Sequence, residues 1–306
     1  MSRIGYWIYP GNELSDIPLL ISNNQFDVLK PEYLTVNTKG KVVIRTVKKD
    51  GLNGYSVKNA ENIKAHSKEQ FITVSSDADN MKMLLKNSKK RIKAIQSMLN
   101  LVQSTGFSGI ELDWEGVAQW TTKTYSQFLS FVTQLGNLLH SIEKKLLLCV
   151  PPISNSIEQS YYCLKYEDLD SRPIDEIVIM CYDYMYDYGG SSPVAPTDWV
   201  NNILKWAKSK ITNISRITAG LNVYGYHANV GKYNIAIDFY NKSKQYPSFS
   251  TAKQNSSNEM SWTENGIFYC YVNQQGLNAK VQNAIQQEIP SISVWHLGGG
   301  NCIYRE

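Results

Sequence analysis

Residues 106 to 116 read Gly106-Phe107-Ser108-Gly109-Ile110-Glu111-Leu112-Asp113-Trp114-Glu115-Gly116, with acidic and apolar side chains alternating from Ile110 to Glu115. On a β-strand, side chains i, i+2 and i+4 line one face. Glu111, Asp113 and Glu115 would therefore stand in a row, with Ile110, Leu112 and Trp114 behind them. Close carboxylates cannot all stay ionised, so at least one must have its pKa raised. A folded chain tolerates such a cluster for a use, and proton transfer near neutral pH is the commonest one. A solvated acidic edge strand is the other reading. The three apolar partners between glycines argue instead for a core strand.

The elements that must position this row alternate along the chain. Strand-like runs lie near 3–9, 32–36 with 41–47, 70–75, 107–114, 145–150, 175–182, 216–223 and 291–297. Helix-like stretches fall at 57–68, 80–104, 121–144, 161–170, 197–210 and 277–288. Strands alternating with helices imply a parallel sheet, and about eight such units imply a closed barrel. The fold class expected is α/β, a (β/α)8 TIM barrel, with 1–306 forming one catalytic domain. The segment from Tyr226 to Val272 breaks the rhythm, being polar, rich in Asn, Ser and Tyr, and ending in the strand-like Gly266-Ile267-Phe268-Tyr269-Cys270-Tyr271. It reads as a small α+β insertion after the seventh strand, over one side of the barrel mouth. Beyond the eighth strand only Gly298 to Glu306 remain. The closing helix is expected to be missing or very short, either as a departure from the complete barrel or because a longer protein continues.

Composition narrows the partners. A length of 306 residues suits one α/β barrel, and 42% hydrophobic with 19% charged residues is enough for a core and too apolar for disorder. The net charge of +4 is spread out, and the lysines between Lys82 and Lys93 read as the wet face of a helix rather than a nucleic-acid patch. No run of 18 apolar residues offers a membrane span. Met1-Ser2-Arg3 leads straight into Ile4-Gly5-Tyr6-Trp7-Ile8-Tyr9 with no signal-peptide core. A cytoplasmic chain or a processed secreted one would each fit. The five cysteines are scattered and odd in number, which favours buried free thiols over a bridge framework. Twenty tyrosines and seven tryptophans suit a carbohydrate groove, where flat rings stack on sugar faces.

Barrels carry function at the C-terminal ends of their strands. The fourth strand ends in the carboxylate row. The sixth ends Ile179-Met180-Cys181-Tyr182-Asp183-Tyr184, and the eighth ends Ser293-Val294-Trp295-His296-Leu297-Gly298-Gly299-Gly300.

Ser108-x-x-Glu111-x-Asp113-x-Glu115 resembles the DxxDxDxE signature of glycoside hydrolase family 18, the chitinase family. Met180-Cys181-Tyr182-Asp183 resembles its MxYD motif, and Trp295 its tryptophan on the eighth strand. The loop from Met180 to Val200 and Tyr224-Gly225-Tyr226 resemble the bacterial branch that acts on spore-cortex peptidoglycan. The resemblance implies a retaining hydrolase that cleaves β-1,4 bonds after N-acetylglucosamine. It also implies that the substrate's own acetamido oxygen replaces the second protein carboxylate as nucleophile. Glu115 would be the general acid, its pKa raised by the neighbouring carboxylates. Asp113 would accept the acetamido N–H, with Glu111 sharing a proton behind it. Tyr182 would donate to the acetamido oxygen. Trp295 would stack under the sugar, and Asp183 would bind hydroxyls, with Met180 and Tyr224 completing the binding set. Tyr6 would either buttress the carboxylates from below or be an ordinary core tyrosine.

Three departures from the family pattern stand out. Ser108 and Glu111 replace the first two aspartates, and Ser75-Ser76-Asp77 replaces a glycine-rich turn after the third strand. Ser108 lies at the strand's start, where a structural role is expected. The expected partner is an N-acetylglucosamine-containing polysaccharide, chitin or peptidoglycan-type, with neither nucleic acid nor membrane, and the chain is expected to act as a monomer without a cofactor. A non-catalytic glycan-binding barrel is the alternative. A metal-dependent hydrolase is a third reading, but His66, His140, His227 and His296 have no metal-type spacing, and no metal is expected.

Overall fold

The computed structural model describes residues 3–11, 16–300 and 303. Strand β1 (Arg3–Ile8) runs parallel to β2 (Phe26–Pro31), and a short antiparallel hairpin follows, β3 (Leu34–Val36) and β4 (Val42–Ile44). Next come β5 (Ser67–Ser76), β6 (Gly109–Trp114), β7 (Lys145–Val150), β8 (Glu176–Met180) and β9 (Ile217–Asn222), each parallel to its neighbour. Strands β10 (Gly225–Asn229), β11 (Ala236–Asp238), β12 (Lys253–Gln254), β13 (Met260–Glu264) and β14 (Ile267–Tyr271) form a separate antiparallel sheet. Finally β15 (Ser291–Trp295) pairs with both β9 and β1, and β2 pairs with β5. Eight parallel strands therefore close into a barrel, with helices between them.

The second barrel strand is Phe26–Pro31, not the run at 32–36 with 41–47, which forms the appended hairpin. Lys30 and Pro31 interrupt the apolar pattern of that strand and hide it from a periodicity reading. The helix expected over 80–104 is two, Ala78–Leu85 and Ser88–Thr105, because the Asn87 side chain accepts from the Lys90 N–H and starts a new helix. The stretch 161–170 is likewise two, Ser156–Tyr162 and Tyr166–Asp170, divided where Cys163 turns left-handed at φ 51°.

Packing on the outside of the barrel sets which way the inner residues face. The helix Thr122–His140 is capped by the Thr121 side chain and buries Phe128, Phe131, Val132, Leu135 and Leu139 at helical spacing. Phe131 stacks on Trp114 with centroids 5.1 Å apart. The apolar side of β6 is thereby held outward, and alternation turns Glu111 and Asp113 inward. Of the described cysteines, Cys149, Cys181 and Cys270 are buried free thiols, whereas Cys163 is partly exposed; Cys302 lies outside the described residues.

The antiparallel sheet after β9, with its short helix Tyr240–Ser243, is the α+β insertion. It is tied to the loop after β8 by Glu259, which is fully buried and accepts from Val194 N (2.7 Å), Ala195 N (3.0 Å) and Lys280 Nζ (2.8 Å). Removing one partner of a buried ion pair leaves an uncompensated charge. Lys280→Met should therefore cost about 3–5 kcal/mol in urea unfolding. The double change Lys280→Met with Glu259→Gln should recover part of that loss. An unchanged unfolding midpoint in the single variant would mean that the pair does not anchor the insertion.

Candidate active site

At the C-terminal ends of the barrel strands a cleft of about 480 Å³ is lined by Tyr9, Glu32, Arg45, Asp113, Glu115 and Trp295, among others. A larger groove of about 1110 Å³ lies outside the barrel, between helix Thr122–His140 and the segment 159–172. It lacks every strand-end carboxylate, so the smaller cleft is the candidate site.

Glu111 stands deepest in the acidic row and is fully buried. Its Oε1 accepts from Lys30 Nζ at 2.6 Å, and its Oε2 accepts from Thr73 Oγ1 at 2.8 Å and from Trp7 Nε1. Lys30 also donates to Ser293 Oγ at 2.7 Å. Asp113, the next residue up, is buried with one oxygen, Oδ1, unpartnered among the described residues. Burial pushes its pKa well above the carboxylate range, and the charges of Glu115, Glu111 and Glu32 push it further, while the Cys149 thiol opposes. Glu115 follows β6, its N–H donating to Ser76 O at 2.9 Å, and Gly116 turns left-handed at φ 74° to end the strand. Burial raises the Glu115 pKa first, followed by the charges of Asp183 and Glu32. Charges from the ends of β8 and β2 thus act on Glu115 in addition to its mutual repulsion with Asp113 in the row.

Tyr182 and Asp183, after β8, do not line this cleft but lie close enough to Asp113 and Glu115 for their charges to interact. Gly220 on β9 lies so close that a Cβ there would sit 3.2 Å from the Tyr182 ring and 2.8 Å from Ile179 O, so only glycine leaves this space. Tyr182 is buried, and its phenol is pushed upward by burial and then by Asp113, which keeps it protonated and able to donate. Asp183 adopts a left-handed backbone at φ 71° and accepts from the hydroxyls of Tyr226 (2.7 Å) and Tyr224. Burial nevertheless holds its pKa above the ordinary value. Met180 and half-buried Trp295 pack with Trp7, Cys149 and Val178 inside the barrel. Trp295 meets Trp7 at 5.7 Å and Tyr9 at 6.1 Å, edge to face.

Tyr6 is not among these groups. It faces the outer layer, edge-on to Phe26 at 5.6 Å, while its neighbour Trp7 points inward to Glu111. β1 is apolar on both faces, so alternation alone could not tell which tyrosine or tryptophan faced in. His296, just beyond β15 and edge-on to Trp295 at 5.2 Å, is buried and packed near Phe239, its pKa lowered to about 4 mainly by burial. Among the described residues no three His, Cys, Asp or Glu side chains are grouped to hold a metal ion, and no helix is long and apolar enough to cross a membrane.

Several site residues were not evident from the motifs. Lys30, Trp7 and Thr73 donate to Glu111 and Ser293 accepts from Lys30, while Glu32 is gripped by Arg45 and by Ser75 Oγ (2.6 Å) beside the cleft. Ser75 and Asp77 take the place of the expected glycine turn; Asp77 caps helix Ala78–Leu85 through Asn80 N at 2.8 Å. Ser108 sits at the foot of β6, its hydroxyl accepting from Gln70 N at 3.2 Å.

A match to the family model for glycosyl hydrolases family 18 extends over residues 3–300. The uncharacterized glycosylase YvbX of Bacillus subtilis is 24% identical over 234 residues, 72% of this chain and 66% of that protein. The cortical fragment-lytic enzyme of Bacillus anthracis is 24% identical over 242 residues, 72% of this chain but 53% of that protein. The chain thus spans between half and two thirds of these relatives' lengths. Among solved structures, a chitinase from Chromobacterium violaceum superposes with a TM-score of 0.80 at 20% identity, covering 98% of this chain and 96% of that one.

The raised carboxyl pKa values carry a stability consequence with a definite sign. A group whose folded pKa exceeds its unfolded value contributes fully below the unfolded value, and that contribution is lost as pH rises through the folded one. Asp113 is such a group. Asp113→Asn should raise the thermal midpoint near pH 8, and the gain should vanish below about pH 4. Calorimetry over that range checks it, and a lower midpoint at pH 8 would refute the electrostatic account.

Proposed function

The chain belongs to glycosyl hydrolases family 18, and from that membership we propose that it cleaves β-1,4 bonds after N-acetylglucosamine by substrate-assisted retaining catalysis. One observation carries the proposal. Asp113 and Glu115 line one cleft with Trp295, both carboxyls are pushed upward, and Asp113 Oδ1 is buried without a partner. A buried oxygen without a donor is costly, and an acetamido N–H is the kind of group that would satisfy it.

In the proposed reaction the sugar lies on the Trp295 ring, which offers an apolar face. Glu115 gives its proton to the glycosidic oxygen as the bond from that oxygen to the anomeric carbon breaks. The acetamido carbonyl oxygen attacks the anomeric carbon and forms an oxazolinium ion. Asp113 accepts the N–H of that group, and the Tyr182 hydroxyl donates to its oxygen. Glu115, now ionised, takes a proton from water as the water attacks the same carbon, and the ring reopens with retained configuration. Asp183, fixed by Tyr224 and Tyr226, would bind sugar hydroxyls.

The substrate class is a glycan containing N-acetylglucosamine, and the cortical fragment-lytic relative supports peptidoglycan-type strands alongside chitin. Glu115→Gln keeps the shape and removes the proton, so hydrolysis of N-acetylglucosamine oligomers should fall by about two to four orders of magnitude while binding persists. Because Glu115 must hold its proton, kcat/KM of the wild type should decline on the alkaline side, above the ordinary glutamate pKa. A substrate with a free amine in place of the acetamide at the cleaved residue should not be cut. Product analysis by mass spectrometry reads all of this. Wild-type protein that binds the oligomers but never cleaves them would instead be a glycan-binding barrel.

A further inference from the structure

A lysine buried inside a barrel is costly unless its charge is met, and Lys30 is only 1% exposed. The sequence makes room for it. A Cβ at Gly5 on β1 would lie 3.1 Å from Val28 Cβ and 3.4 Å from Lys30 Cε, so the glycine clears a path for the aliphatic stem. The ammonium lies 4.4 Å from the Trp7 ring centroid, 2.7 Å from Ser293 Oγ and 2.6 Å from Glu111 Oε1. It therefore reaches from β2 across the interior to β6, to a partner 81 residues away in the chain.

Glu111 is met almost wholly by donors. The ammonium of Lys30 and the indole of Trp7 can only donate, and Thr73 Oγ1 donates at 2.8 Å. A proton on Glu111 would point into these donors and displace one of them. The family signature that Glu111 departs from has an aspartate in its place, and in the resemblance that aspartate shares a proton with the residue at Asp113. A glutamate facing an ammonium has no such freedom.

We propose that Lys30 is a positioning residue: its ion pair holds the Glu111 carboxylate in place beneath Asp113, so that no proton passes between these two carboxyls. The inference rests on the proposed hydrolase chemistry for its consequence, but not for its electrostatics. The groups facing this pair are Trp7 from β1, Thr73 from β5, Cys149 from β7 and Ser293 from β15. Around Asp113 they are Cys149, Tyr182, Glu115 and Glu32. Lys30 is the cation that meets Glu111, so removing it would hand Glu111 a proton and couple it to Asp113.

Carboxyl ¹³C NMR titration of the substrate-free protein tests this directly, with Glu111→Gln and Asp113→Asn spectra as assignments. With Glu115→Gln in place, so that the other row carboxyl that repels Asp113 carries no charge, Asp113 should titrate in one step. Adding Lys30→Met to that background should make Asp113 biphasic, as Glu111 begins to exchange a proton with it. With Glu115 intact, the pH–rate profile of Lys30→Met should gain an ionisation, with kcat lower by about 10²-fold and KM little changed. If Lys30→Met does not fold, Lys30→Met with Glu111→Gln removes both charges and, in the Glu115→Gln background, should restore both folding and a single Asp113 step. A wild-type Glu111 that titrates together with Asp113 would overturn the proposal without any variant. A silent Glu111 in a protein that hydrolyses nothing would sustain the ion pair and remove the hydrolase reading instead.

Discussion

Carrying ionisable side chains into a closed barrel is the constraint around which this molecule is arranged. A carboxylate taken out of water loses several kcal/mol of solvation, and only donors or a counter-ion can return it. Glu111 receives both, from Lys30, Trp7 and Thr73. Asp113, one step nearer the mouth, receives far less and keeps an oxygen free of any described partner. The two differ by two residues on one strand face, yet one is satisfied and the other is left poised. That contrast is what lets a row of like charges exist in a folded protein and gives the upper members raised proton affinities.

The rest of the fold keeps that contrast in place. Outer helices hold the apolar side of β6 through Trp114 and Phe131, so the acidic side cannot rotate away. The insertion does the same for the loop after β8: buried Glu259 takes the backbone N–H groups of Val194 and Ala195, downstream of Tyr182 and Asp183. Tyr224 and Tyr226, at the junction of barrel and insertion, then fix Asp183 through their hydroxyls. A site of this kind needs such support, because a carboxyl that wanders also loses its raised pKa.

Much of the fold was legible because its signals are local. Alternating strands and helices, the polar insertion and the helix Thr197–Lys210 all follow from periodicity and from breaks in it. The second strand was not legible, since Asp27 breaks its short apolar run and a lysine and a proline end it, and the apolar hairpin after it gave a stronger pattern. Helix breaks at Asn87 and Cys163 were missed for a related reason, as one cap or one left-handed residue interrupts a helix without changing its composition.

The sequence by itself determined which residues share a strand face, and therefore that Glu111, Asp113 and Glu115 form a row at a barrel strand's end. The motifs brought Tyr182, Asp183 and Trp295 to the same mouth by the order of the strands. Tertiary structure alone decided the inward phase of β1, which turned Trp7 rather than Tyr6 toward the carboxylates. It alone joined Lys30 to Glu111, and it set Asp183 and Glu32 beside Glu115. The physical reason is range. Strand alternation acts over two residues and is written in the chain, whereas the field at a buried carboxyl sums over charges that only barrel closure brings together.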